Sequence, residues 1–401
     1  MKKITFYYDI VCPYAYLAAH RIGTIATRCG AVVDWRPVLL GGIYKSIEAP
    51  QIPSGTWSEP RARLGALDLI RQADYHGISL RFPSGHPRRS VSAMRLLVGV
   101  EGPVREALTH ALYRAYWVEG ADISDREVLD TMARAHGVDP TIIDSSEVRK
   151  ALFAATAEAV EVGAFGVPTM IVDGRMYWGQ DRLGFIERAL TGARPATPAS
   201  TEGGKSLRFF HDFSSPFSYL ASTQIDTIAA RHGAAVDWTP ILLGGLFRAI
   251  GTPNVPLLAM TEAKRRYALQ DLSDWSSWWG VPFAFPTVFP IRTVLPLRIA
   301  IAEPRATPHL YRALWAEDRN IGERSVVTAV LAEAGLDAEG LLEKATTPDI
   351  KMRLRTNTEA AQAAGACGVP TVEIDGELIW GQDRLDLVEA VLSGEWILPV
   401  P

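Results

Sequence analysis

The apolar and polar positions of the chain fall into a short series of patterns. Ile4 to Tyr8 is a run of β-branched and aromatic residues closed by Asp9, which predicts a buried strand. Pro13 suits a first helical position, Ala18, Ile22, Ile25 and Cys29 recur at helical spacing, and Gly30 supplies a left-handed stop. Val32 to Val38 reads as a second strand, so the opening is a right-handed strand, helix, strand unit with parallel strands. From about Arg61 to Gly163 strand alternation disappears. Positions such as Ala107, Leu108, Ala111, Leu112 and Ala115 mark helices punctuated by Pro and Gly. Thr169 to Val172 then predicts a strand, Asp173-Gly174 a tight hairpin turn, and Met176 to Trp178 the returning strand, with Asp181 placed to cap a last helix. The periodicity gives an α/β class.

The whole series occurs twice. YYDIVCPYAYLA from Tyr7 is answered by FHDFSSPFSYLA from Phe210, so Cys12 faces Ser215 at an offset of 203. VDWRPVLLGG returns as VDWTPILLGG at the same offset, and GVPT and WGQDRL return at an offset of 202. A period near two hundred residues is far longer than a solenoid repeat, so each copy is expected to be a whole domain. Thr191 to Ser206, rich in Gly, Pro, Ser, Thr and Ala, reads as a linker. The predicted organisation is residues 1–190, a linker 191–206, and residues 207–401. Two tethered, similar domains are expected to pack as an intramolecular pseudo-dimer.

Composition narrows the chemistry. The 401 residues are 48% apolar and 21% charged, with a formal net charge of -4 and no block of like charge, so nothing in the sequence calls for nucleic acid or an anionic membrane as partner. Small-molecule chemistry is the default. The apolar run after Met1 is cut at Asp9, too short for a signal-peptide core, and no stretch approaches a membrane span. Three scattered cysteines make neither a disulfide framework nor a zinc site, and no histidine has ligand spacing. The expectation is a cytoplasmic protein without a metal.

Cys12 lies where a strand gives way to a helix, a position at which unpaired N–H groups and the helix dipole lower a thiol pKa. Ala15 stands where a CxxC pair has its second cysteine, so this loop forms no internal disulfide. Ser215, the counterpart, is a favoured helix cap and a poor nucleophile without a base, but a good hydrogen-bond donor to an external thiolate. Cys29 and Cys367 read as structural. Trp275, Trp278 and Trp279 read more as core than as the wall of a ring-binding site.

The first strand-to-helix turn resembles the CPYC-type loop of DsbA-like proteins, and GVPT resembles the loop whose proline is cis in the thioredoxin superfamily. FHDFSSPFSYLA, LLGGLFRAIGTPN, KRRYALQDLSDWSSWWGVPFAFP, GVPT and WGQDRLDLVEAVL, in that order, resemble 2-hydroxychromene-2-carboxylate isomerases and are similar to kappa-class glutathione transferases. The resemblance implies two tandem thioredoxin-fold domains, each with an all-helical insertion. It implies glutathione as cofactor and, as activity, isomerisation of a small aromatic or enone substrate by reversible thiolate addition to a conjugated double bond. A kappa-like transferase, or a monothiol DsbA-like thiol-disulfide oxidoreductase acting through Cys12, are the alternatives. Carried onto this chain, Ser215 would hydrogen-bond the glutathione sulfur, Val369 before Pro370 would pair with the tripeptide backbone, and Gln382 with Asp383 would hold the γ-glutamyl end. Cys12, Val167, Pro168, Gln180 and Asp181 are the matching positions of the first copy. Arg248, Asn254 and Lys264 are the implied substrate-side residues, with Lys45 opposite Arg248 and no clear counterpart to Asn254.

Overall fold

The computed structural model of the protein describes residues 2–193, 199–201 and 204–399. Of the segment read as a linker, residues 194–198, 202 and 203 lie outside the described residues. The chain groups into two compact units. Unit 1 is Met1–Pro53, Leu69–Ala196 and Thr261–Lys264; unit 2 is Ser54–Asp68, Thr197–Met260 and Arg265–Pro401.

In unit 1, β1 (Lys2–Tyr8) leads through the Asp9 turn into α1 (Pro13–Arg28), β2 (Ala31–Pro37) and α2 (Leu40–Ser46). The next helix, α3 (Glu59–Tyr75), contributes its part from Leu69 to this unit. The helical insertion continues with α4 (Val91–Val98), α5 (Gly102–Arg114), α6 (Arg126–Ala135) and α7 (Ser146–Glu161). β3 (Thr169–Val172), β4 (Arg175–Trp178) and α8 (Leu183–Thr191) finish it. The sheet order is β2-β1-β3-β4, with β1 parallel to β2 and antiparallel to β3. β1 is central, so it is apolar on both faces. Ile4, Phe6, Tyr7 and Tyr8 are buried, and Trp35 of β2 meets the rings of Phe6 and Tyr8 edge-on at 5.2 and 5.6 Å. The hairpin forms where expected: Asp173 and Gly174 both take left-handed φ, 48° and 75°, which a tight two-residue turn requires.

Unit 2 repeats the plan with β5 (Ser206–His211), α9 (Pro216–Ser222), α10 (Ile225–Arg231), β6 (Ala235–Pro240) and α11 (Leu243–Ala249). Its insertion is α12 (Glu262–Trp279, from Arg265), α13 (Val294–Ala302), α14 (Thr307–Trp315), α15 (Arg324–Glu333), α16 (Ala338–Lys344) and α17 (Pro348–Ala364). β7 (Thr371–Ile374), β8 (Glu377–Trp380) and α18 (Leu385–Ser393) close it, with sheet order β6-β5-β7-β8.

The structure departs from the sequence reading at three points. The helix expected from Pro216 to Gly233 is broken between α9 and α10. There the hydroxyls of Ser222 and Thr223 donate to the carbonyls of Tyr219 and Leu220, three residues back, and compete with the helical ladder. Asp181 and Asp383 do not cap α8 and α18. Each lies inside a single 3-10 turn, Gln180–Arg182 or Gln382–Arg384, and its carboxylate meets the following arginine, at 3.0 Å in one case and 3.4 Å in the other. The prolines of both GVPT loops follow cis peptides, as expected, but so do Pro87 and Pro290, which nothing in the local sequence had marked. Among the described residues no helix is long and apolar enough to cross a membrane.

Candidate active site

The turn after the first strand is built around a buried aspartate. In unit 1 the Cys12 N–H donates to the Asp9 carbonyl at 3.1 Å. The Asp9 carboxylate accepts from the N–H of Val11 at 3.3 Å, the N–H of Leu40 at 2.9 Å and the hydroxyl of Ser90 at 3.1 Å. Asp212 does the same in unit 2, accepting from the Ser214 N–H at 2.9 Å, the Leu243 N–H at 2.8 Å and the Thr293 hydroxyl at 2.7 Å. One carboxylate therefore ties the turn before Cys12 or Ser215 to the start of α2 or α11 and to the helical insertion. Burial nevertheless pushes the Asp9 carboxyl up to about 6, against hydrogen bonds from Leu40, Ser90 and Val11 that favour the charge, and it raises Asp212 as well. The insertion adds a second clamp: the indole N–H of Trp117 donates to Ile10, and that of Trp315 to Phe213, each at 2.8 Å. Neither aspartate was singled out from sequence. Their recurrence as YYDI and FHDF at the shared offset was the available signal.

The turn delivers Cys12 and Ser215 as the extended N-caps of α1 and α9, each followed by proline at the first helical position. The Cys12 thiol donates to the carbonyl of Val167 at 3.1 Å, and the Ser215 hydroxyl to that of Val369 at 3.0 Å. In both units the residue that opens the helix thus lies against the residue before the cis-proline. The N–H groups of Val167 and Val369 have no hydrogen-bond partner among the described residues. GVPT needs its glycine here for a steric reason: a Cβ on Gly166 or Gly368 would sit 3.0 Å from the indole nitrogen of Trp178 or Trp380.

The two N-caps differ. Ser215 Oγ also accepts from the Ser218 N–H at 3.1 Å, a satisfied cap, whereas Cys12 makes no side-chain cap. The lowered thiol pKa expected from the helix position is not found. Burial pushes the Cys12 thiol up to about 12, which outweighs the favourable influence of the nearby Ala15 and Tyr14 N–H groups on the thiolate, and the nearby Asp9 charge adds to the rise. Cys367 is buried in an apolar cluster with Phe210, Ile241 and Leu246 and is likewise pushed up to about 12 by burial, a core thiol as read. Cys29 is only partly buried.

The 3-10 turns place Gln180 and Gln382 beside these loops, since the N–H of Gly179 and of Gly381 donates to the carbonyl of the cis-proline, each at 3.0 Å. In unit 2 the neighbouring Arg384 is held by Asp68, the guanidinium donating to both carboxylate oxygens at 2.6 and 2.8 Å. Asp68 belongs to the stretch Ser54–Asp68, and Leu64 and Leu67 from the same stretch are buried in unit 2's core with Phe210 and Val369.

The substrate-side candidates separate. Arg248 in the last turn of α11 and Asn254 are exposed in unit 2, with the Asn254 carboxamide oxygen 2.9 Å from where a Cβ on Gly244 would lie. Lys45 is exposed at the matching end of α2. Lys264 falls in unit 1, its ammonium 5.6 Å from the Trp178 ring, and so not in the unit that holds Ser215. A counterpart to Asn254 exists after all. Gln51 places its carboxamide oxygen 3.0 Å from a Cβ on Gly41, and its amide donates to the Gly41 carbonyl at 3.3 Å. Its offset of 203 from Asn254 was the overlooked signal.

The model of the DSBA-like thioredoxin domain matches residues 3–191 and again 206–393. The chain belongs to the DsbA-like thioredoxin family. Within it, the chain is 29% identical over 203 residues to 2-hydroxychromene-2-carboxylate isomerase of Sphingobium xenophagum, an alignment covering 47% of this chain and 98% of that protein. It is 27% identical over 217 residues to glutathione S-transferase kappa 1 of Homo sapiens, covering 49% and 95%. A solved 2-hydroxychromene-2-carboxylate isomerase superposes with a TM-score of 0.41 at 24% identity, covering 47% of this chain and 94% of that one. The family model matches once in each repeat, so the chain holds two DsbA-like thioredoxin domains, each with a helical insertion.

Proposed function

We propose that unit 2 is a glutathione-dependent isomerase of the 2-hydroxychromene-2-carboxylate type, acting on a small aromatic or enone substrate. The observation that carries this reading is the Ser215 hydroxyl 3.0 Å from the Val369 carbonyl, beside a Val369 N–H that no group among the described residues occupies. An extended tripeptide fits that donor and acceptor pair, and its thiol would then lie toward the hydroxyl. The relatives named as an isomerase and a glutathione transferase agree with such a ligand. When bound, glutathione supplies a thiolate able to add to a conjugated double bond, permit rotation about it and leave again.

The chain's own part is binding and charge stabilisation. Ser215 turns its hydroxyl proton from Val369 to the sulfur, exchanging a neutral hydrogen bond for a charge-assisted one, while still accepting from Ser218. The Asp212 network and Trp315 keep the loop from following that turn. Gln382 and Asp383 are assigned to the γ-glutamyl end, and Arg248 with Asn254 to the substrate. Residues 1–190 and 207–401 are proposed to pack as an intramolecular pseudo-dimer, which small-angle scattering tests: an extended two-body profile would be incompatible with it.

Absorbance of 2-hydroxychromene-2-carboxylate is followed with and without reduced glutathione while free thiol is titrated. Acceleration that needs glutathione and consumes none is the expected result. Stoichiometric consumption would turn the reading to the transferase outcome, and no dependence on glutathione would end it. The raised pKa of the buried Cys12 thiol favours placing turnover at Ser215 rather than in thiol-disulfide exchange at Cys12.

A further inference from the structure

The two units differ most at a carboxamide that the repeat had made look identical. In unit 1 both ends of the Gln180 amide are engaged inside the protein. Its oxygen accepts from the Arg21 guanidinium at 2.6 Å, the same nitrogen also reaching the Gln180 carbonyl at 3.3 Å, and its NH2 donates to the Gln72 oxygen at 3.0 Å. Gln180 and Gln72 are both buried. In unit 2 the counterparts of Arg21 and Gln72 are Gln224 and Trp275. The Gln224 amide donates instead to its neighbour Thr223 at 2.9 Å. Gln382 is 4% exposed, yet its carboxamide has no hydrogen-bond partner among the described residues, nor is it among the partnerless polar atoms sealed from solvent. An amide that still reaches solvent can exchange water for a ligand group, whereas one held at both ends must give up two hydrogen bonds before it can bind anything.

We infer that Arg21 and Gln72 are specificity-determining residues that close the first site to glutathione, so that the chain holds one non-covalent glutathione, in unit 2. The inference rests on the glutathione reading of Ser215 and deepens it. Arg21 acts by geometry. Its guanidinium is fixed on Gln180, so the amide cannot swing toward an incoming α-amino acid group, and Gln72 holds the other end. Unit 1 thereby keeps the thioredoxin frame and the cis-proline loop but lacks the end-group anchor, which leaves Cys12 as a thiol reached without the tripeptide's γ-glutamyl handle.

Titration calorimetry of the full chain with reduced glutathione under a phosphine reductant tests this. One site per chain is expected for the unaltered protein, and Gln382→Ala should weaken it at least tenfold. Arg21→Gln, which installs the residue of the second repeat, should open a second site, and Arg21→Gln with Gln72→Ala should make it tighter. Circular dichroism establishes that each variant is folded, and should the double variant not fold, Arg21→Gln alone decides. Two sites in the unaltered chain, or one site that persists unchanged in folded variants, would overturn the inference and leave the glutathione reading standing. No binding by the unaltered chain would remove both.

Discussion

Cys12 and Ser215 occupy the same turn, on the same kind of loop, each against a carbonyl that precedes a cis-proline. What surrounds them has diverged. The serine is a satisfied cap in a unit whose glutamine amide is open, and the cysteine is an uncapped, proton-holding thiol in a unit whose glutamine amide is tied at both ends. The frame is thus maintained by residues common to both units, and the difference lies in the residues that flank them. A duplicated nucleophile position alone says little about a duplicated function.

The shared frame offers the largest effect. Asp212→Ala would leave the Ser214 and Leu243 N–H groups and the Thr293 hydroxyl without their acceptor, and should cost about 3 kcal/mol or more of stability in denaturant unfolding. A loss confined to turnover would mean the carboxylate does not hold the loop. For Asp9 the sign of the pH effect is defined. Its folded pKa is raised, from 3.8 to about 6, so the folded state holds the proton more tightly; the associated stability is present below about pH 4 and is lost as pH rises through 6. Asp9→Asn should flatten that decline in thermal unfolding followed between pH 4 and 7.

Ser215→Ala is next, and it separates the two sites. Losing a charge-assisted hydrogen bond worth about 1.5 to 3 kcal/mol should lower glutathione-dependent turnover by roughly ten- to a hundredfold or more. Gly368→Ala should follow at about 1 kcal/mol, because the new methyl must displace the Trp380 indole; equilibrium unfolding of the variant gives the value, and an unchanged midpoint would mean the ring moves freely. Smallest of all, Cys12→Ser should leave turnover nearly unchanged while removing any mixed disulfide with oxidised glutathione, read by mass spectrometry. If Cys12→Ser abolished turnover and Ser215→Ala did not, the division of roles would be reversed.

Much of the frame was legible in the chain because it was written twice. The strands and the Asp173-Gly174 hairpin followed from period and turn chemistry, and the repeat located Ser215. The resemblance correctly implied the cis bonds before Pro168 and Pro370. The Cys12 thiol went the wrong way because a helix N-terminus is visible in sequence and desolvation is not. Asp9 and Asp212 show no such role in the sequence, since a polar residue ending a strand reads as a turn until its two distant partners, Leu40 and Ser90 or Leu243 and Thr293, are in place. Arg21 and Gln72 were invisible for the same reason: their partner Gln180 lies more than a hundred residues away.

The ion pair of Asp68 with Arg384 has a consequence for inheritance. A buried guanidinium of the second repeat takes its counter-ion from a stretch encoded before the end of the first, so the two residues are bound in space and parted in the gene. A recombination that exchanged residues 207–401 for a homologous half would arrive without Asp68 already matched to it, and would succeed only in a host whose first repeat offers a carboxylate at that position. The boundary at which the gene can be cut is therefore not the boundary at which the repeat begins, and substitutions at Asp68 and Arg384 should be tolerated together more readily than apart.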